Sequence, residues 1–252
     1  MSIKSNLIKA ITYDYPTEIP VFINFLPAAL KKYPDEIGSI IQRYPDLFGD
    51  EYKNYIYDES NLAPTYRLGE TVDEWGCVWT NIEEGMEAYV TGHPIKSPED
   101  ILDLKIPENR DGRIPHGFMY LRILDLMGFE NAMIEFAKES REIQILIDKV
   151  VEYNCYQIEI AVKEADEIMF FGDDLGMQNG IAIGPERWRK YFKPAYKKMY
   201  DIVHRAGKYV YMHTDGMVYE IMPDLVEAGV DMINPHSFCY TKRDRRTCER
   251  MC

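Results

Sequence analysis

EIMFFGDDLG (residues 167–176), GPERWRKYFKPAYKKMYDIVHRAG (184–207), KYVYMHTDG (208–216), MVYEIMPDLVEAG (217–229) and VDMINP (230–235) follow one another with little chain between them. The first, third and fifth are short apolar runs that end in Gly, Asp, His or Asn, and they read as strands. The second opens at Pro185 and stops at Gly207, the punctuation of a helix, while Pro194 inside it predicts a kink or a split. The fourth is a shorter helix. Strand, helix, strand, helix, strand with short loops requires crossover connections, so the strands are expected to be parallel and buried on both faces. An open doubly wound sheet and a (β/α)8 barrel both fit. No GxGxxG or GxxxxGK[ST] occurs in the chain, which favours the barrel. These three strands and the one or two found earlier fall short of eight. The expectation is therefore an α/β fold, a (β/α)8 barrel over residues 1–240 that lacks its C-terminal strands.

Outward from this block the pattern is less regular. From Phe118 to Glu164 it is helical with a break at Gly128, and SPEDILDLKIP (97–107) reads as a short helix capped by Ser97. YRLGETVDEWGCVWTNIEEGMEAYVTGHP (66–94) alternates as short strands and hairpins, and IPVFINF (19–25) as a buried strand followed by a helix from Pro27 to Tyr44. The final stretch, TKRDRRTCERMC (241–252), is atypical: it carries five basic and two acidic residues, whereas the first 240 carry 24 basic and 40 acidic. It reads either as a solvated terminus or as a departure of the chain from its natural course near Cys239, by truncation or a shifted frame.

Net charge over the 252 residues is −13, so the long-range field repels nucleic acid and anionic membranes. No run approaches the roughly 18 apolar residues of a spanning helix. A cytoplasmic protein acting on a small molecule is expected. The five cysteines are scattered without a CxxC pair, which argues against a disulfide framework.

In a parallel barrel the reactive groups stand at the carboxyl ends of the strands, and all three ends here are polar. His213 and Asp215 are two apart, so on an extended strand both side chains leave the same face, in the pattern of two zinc ligands. The bland reading is a core histidine and a turn-forming aspartate before Gly216. Asp173 and Asp174 are adjacent and point to opposite sides, so one is expected to meet substrate or transfer a proton and the other to hold the loop; the alternative is that both cap the turn. Gln178 and Asn234 join them as substrate-binding residues, with Trp75 from the hairpin region, although an aromatic cluster of that kind is more often a small core than a ligand cradle. His93, His116 and His204 show no pattern of their own.

The segment from Gly172 to Pro235, with VDEWGCVWTNIEEGMEAYVTGHPIKSPEDILDLKIP (72–107), resembles the uroporphyrinogen decarboxylase superfamily, in the branch that contains corrinoid-dependent methyltransferases. The resemblance implies a (β/α)8 barrel with its site at the carboxyl mouth. True decarboxylases of the family grip porphyrinogen carboxylates through an Arg-rich RQAGRY segment, whereas the matching place here, FINFLPAALKKYP (22–34), has no arginine. The methyltransferase branch holds zinc through a His-x-Cys pair and a later Cys; here His213-Thr214-Asp215 keeps the His and puts Asp in the Cys place, a harder donor. The implied activity is methyl transfer between a methylated small molecule and a corrinoid protein or thiol. The cofactors are zinc and a corrinoid carried by a partner, with Cys239 the nearest thiol. The alternatives are decarboxylation of uroporphyrinogen or a smaller acid, and an inactive barrel fragment whose exposed strand edges would make it a homo-oligomer.

Overall fold

The computed structural model describes residues 3–21, 23–48, 52 and 58–236, and the chain divides into two units, Met1–Gly92 and His93–Cys252. The basic tail and Cys239 lie outside the described residues. In the first unit, helices α1 (Ile3–Ile11), α2 (Pro27–Lys32) and α3 (Pro34–Arg43) precede an antiparallel sheet of β1 (Gly69–Val72), β2 (Val78–Asn81) and β3 (Tyr89–Gly92). The single helix expected over 27–44 is instead broken at Tyr33, whose φ of −131° and ψ of 51° lie outside the helical region, as the ring of Pro34 disfavours helical backbone in the residue before it. The described residues of 19–25 form no strand, and Ile19 and Val21 are exposed. Ile23 and Phe25 instead pack on a small core of Leu30, Ile37, Phe48 and Tyr52, with Phe25 stacked 5.5 Å from Phe48. The expected hairpins do form. The tip between β1 and β2 is organised by Asp73, whose carboxylate accepts the N–H groups of Trp75 (3.0 Å) and Cys77 (2.9 Å) and the Trp79 indole (2.9 Å).

The second unit begins with α4 (Asp100–Asp103), a single turn. Ser97 is not its cap; the Asp100 carboxylate accepts the N–H groups of Lys96 and Ser97 instead. Helices α5 (Tyr120–Met127) and α6 (Phe129–Lys138) are separated at Gly128, at φ +80°, and α7 (Arg141–Glu164) starts where the Ser140 hydroxyl accepts Ile143 N–H. Then come β4 (Ile168–Gly172), α8 (Pro185–Arg205), β5 (Tyr209–Asp215), α9 (Met222–Ala228) and β6 (Met232–His236). Pro194 does not split α8. It is exposed, so its missing N–H falls on the solvent side, while Trp188, Phe192, Tyr196, Met199 and Val203 form an unbroken buried stripe at helical spacing.

β4, β5 and β6 pair in parallel, in that order, with Gly172 opposite His213 and His213 opposite Asn234. One face is packed on helices: Phe171 lies 5.1 Å from the Tyr200 ring, and the Tyr200 hydroxyl meets Met212 Sδ. The other is not buried as expected, for Phe170 is 59% exposed and stacks on Tyr211 at 5.4 Å. Among the described residues the sheet stays open and no closed barrel forms. No described helix is long and apolar enough to cross a membrane.

Candidate functional site

Register decides what meets at the carboxyl edge of the β4–β6 sheet. Side chains of partnered residues in parallel strands share a face, so His213 and Asn234 project together and Asp215 and His236 project together one step further on. The loops beyond the strands are laced by backbone bonds. Asp173 N–H donates to His213 O (3.0 Å), Gly176 N–H to Asp215 O (3.0 Å) and Gly216 N–H to His236 O (3.2 Å).

The two adjacent aspartates have different surroundings. Asp173 is fully buried, and its carboxylate accepts the backbone N–H groups of Met119 (3.2 Å), Tyr120 (2.5 Å) and Leu121 (3.0 Å) and the hydroxyl of Tyr196 (2.5 Å). Burial pushes this carboxyl up, against the pull of the Tyr196 hydroxyl and the Leu121 and Tyr120 N–H groups. Its geometry is that of a cap on α5, with three donors meeting Oδ2 and one meeting Oδ1. Asp174 points into the cluster instead. Its Oδ1 accepts Asp215 N–H at 2.9 Å and stands 3.4 Å from His116 Nε2 and 4.0 Å from His213 Nε2. Burial works to raise the Asp174 carboxyl, but the hydrogen bond and charge of His116, the Asp215 N–H and His213 carry it below the usual carboxylate value.

His213 Nδ1 lies 2.8 Å from Asn234 Oδ1. An amide oxygen only accepts, so this contact keeps the proton on Nδ1 and leaves the lone pair on Nε2. That nitrogen is 3.7 Å from Asp215 Oδ1, which is itself 3.5 Å from His236 Nδ1. Asp215 Oδ1 is sheltered from water and accepts no hydrogen bond. Two groups among the described residues thus have ligand atoms close enough to share a cation: His116, Asp174 and His213, and His213, Asp215 and His236.

Of the residues named from the sequence, Asp174, His213, Asp215 and Asn234 meet here, and Asp173 supports the loop behind them. Gln178 is exposed in the turn closed by the Met177–Gly180 bridge. Trp75 belongs to the first unit, where it is 4% exposed at the hairpin tip. His116 is the residue that sequence reasoning passed over. It is brought in by the bond from Gly117 N–H to Gly172 O (2.8 Å), and it sits over the bare Gly172, where a Cβ would stand 2.4 Å from its ring. Nothing in the neighbouring sequence signals this. His236 was not named as a site residue from the sequence either, although its place two residues beyond Asn234 on the same face is a signal that could have found it.

The family model described as uroporphyrinogen decarboxylase (URO-D) matches residues 123–252, just over half of the chain. The chain belongs to the uroporphyrinogen decarboxylase family. The match takes in β4, β5 and β6, and therefore every member of the cluster except His116. A solved structure, a methyltransferase from Methanosarcina mazei, is similar to this uroporphyrinogen decarboxylase family chain. Its TM-score is 0.64 at 16% identity, over 92% of this chain and 75% of that one. At such identity the likeness is one of fold. A search of curated proteins finds no match.

Proposed function

We propose that the chain is a methyltransferase-like enzyme of the uroporphyrinogen decarboxylase family, moving a methyl group between a methylated small molecule and a thiol or a corrinoid carried by a partner protein. The open sheet is read as part of a (β/α)8 barrel, with the cluster at its carboxyl mouth. Zinc is assigned to His213 and Asp215. The observation that carries the reading is Asp215 Oδ1, a carboxylate oxygen removed from water, given no donor and flanked by two imidazole nitrogens at 3.5 and 3.7 Å. Such an oxygen is costly unless a proton or cation meets it. The donor set suits zinc, which accepts imidazole nitrogen and carboxylate oxygen alike.

When bound, zinc supplies polarisation of a methyl donor or holds a thiol as its thiolate. The remaining work falls to the chain. Asn234 fixes the tautomer of His213; Asp174, held ionised beside His116, orients the substrate or accepts its proton; Gln178 offers an amide from the neighbouring turn. Asp173 takes no part in the chemistry and keeps the loop in place. The fold likeness to a methyltransferase lends support. Porphyrinogen decarboxylation draws none from the cluster, which is made of carboxylates, imidazoles and an amide where a polyanionic substrate needs cations.

The test is elemental analysis of zinc per chain in the purified protein and in a His213→Ala variant, followed by methyl transfer from methylated small molecules to a free corrinoid or thiol. Near-stoichiometric zinc, abolished by the substitution, is expected. A folded wild-type chain that takes up no zinc overturns the reading.

A further inference from the structure

His213 Nε2 has two carboxylates to choose between. Asp215 Oδ1 is 3.7 Å away on the β5–β6 side, with His236 beyond it, and Asp174 Oδ1 is 4.0 Å away on the β4 side, with His116 beyond it. Only one of these oxygens wants a partner. Asp174 Oδ1 already accepts the Asp215 N–H at 2.9 Å and is hydrogen-bonded by His116. Asp215 Oδ1 accepts nothing while being shut off from water.

Spacing points the same way. Ligands at about 2.0–2.2 Å in a tetrahedron lie about 3.3–3.6 Å apart. The Asp215 separations of 3.5 and 3.7 Å both need little adjustment, whereas in the inner set the 3.4 Å between His116 and Asp174 fits and the 4.0 Å gap between His213 and Asp174 does not. The outer set is also built on register, since Asp215 and His236 are directly partnered across β5 and β6 and the two imidazole rings meet edge to face at 4.8 Å.

We infer that His236 is the third protein ligand of the cation, through Nδ1. The site is then a thiolate-free set of two imidazoles and one carboxylate, completed by β5 and β6 alone. The inner pair, His116 and Asp174, stays outside the coordination sphere. This inference rests on the zinc reading of His213 and Asp215 and deepens it: a set with nitrogen and oxygen donors only, and no cysteine, makes a harder site, suited to polarising an oxygen- or nitrogen-bound methyl group.

The experiment measures zinc affinity by competition with a chromophoric chelator in the wild-type chain and in His236→Ala, Asn234→Ala, His116→Ala and Cys239→Ser. Visible spectra of the cobalt(II)-loaded wild type accompany it. His236→Ala should weaken binding more than about 100-fold, beyond the 10–100-fold typical of a lost outer-shell partner, which is the range expected for Asn234→Ala. His116→Ala and Cys239→Ser should bind as the wild type does, and the cobalt spectrum should lack a thiolate charge-transfer band. The His236 side chain is 62% exposed and its ring contact is with His213, so its removal should leave the fold intact, which unchanged circular dichroism checks. If His236→Ala binds normally while His116→Ala loses the metal, or if the thiolate band is present and vanishes in Cys239→Ser, the inference falls and the zinc reading stands. A folded wild-type chain that binds no zinc removes both.

Discussion

Gly216→Ala tests how closely the two strand-end loops cross. Gly216 has a φ of +83°, and a Cβ built on it would stand 2.1 Å from the Gly176 carbonyl oxygen and 2.2 Å from its carbonyl carbon. Both neighbours are backbone, so no rotamer change relieves the clash. Separating the loops breaks the bonds from Gly176 N–H to Asp215 O, from Gly216 N–H to His236 O and from Met217 N–H to Met177 O, at 3.0, 3.2 and 2.8 Å. The unfavourable φ costs an alanine about 1–2 kcal/mol. Overpacking adds about 1–3 kcal/mol, and each lost bond about 1 kcal/mol. The sum is roughly 5–8 kcal/mol, which for a chain of this size lowers the melting midpoint by about 10–20 °C or more. Gly69→Ala is the matched control, because Gly69 also has a positive φ, +104°, but a Cβ there has nothing within 4 Å. It should cost only the strain, a few degrees. Thermal unfolding followed by circular dichroism reads both. If Gly216→Ala melts alongside Gly69→Ala, the loops do not cross as closely as described and the packing argument for the site is wrong.

Asp173→Asn keeps the shape of the side chain but turns an amide N–H toward one of the four donors that now meet a carboxylate. It should cost about 2–4 kcal/mol in urea unfolding and speed hydrogen exchange at Tyr120 and Leu121; unchanged exchange there would refute the cap. For Asp224, burial works to raise the carboxyl, but Lys193 Nζ and Arg189 Nε, each at 2.8 Å, outweigh it and hold the group below its usual value. A group depressed on folding stabilises above its unfolded pKa of about 3.9 and loses that contribution as pH falls through the folded value. The wild-type urea midpoint should therefore drop on going from about pH 5 to pH 3 by more than that of Asp224→Asn, and parallel curves would count against the pairing.

The second half of the chain was legible because its signals agree: short apolar runs, Pro at the helix start, Gly at its end, and polar residues where the strands stop. The first half misled where one cue stood alone. IPVFINF has the composition of a buried strand, but its described residues pair with no strand, and Ile23 and Phe25 pack on the small core instead. Pro34 was a helix start hidden inside an apparent helix. Pro194 was the opposite case, a breaker whose position on the solvent side let tertiary packing override it. At the site, period-two parity was enough to place His213 and Asp215 together. His116 could not have been found that way, since it comes from a connecting segment and depends on Gly172 having no side chain.

The carboxylate that caps α5 also sets an order of events on the growing chain. Asp173 is made 52 to 54 residues after the N–H groups it receives. At synthesis rates of about 5–20 residues per second, the start of α5 waits roughly 3–10 s for its acceptor. Until β4 emerges, the Met119, Tyr120 and Leu121 N–H groups lack this acceptor, and the Tyr196 hydroxyl joins it only when α8 follows. The loop that carries Asp174 toward His213 is then drawn into place by the same residue that closes the helix.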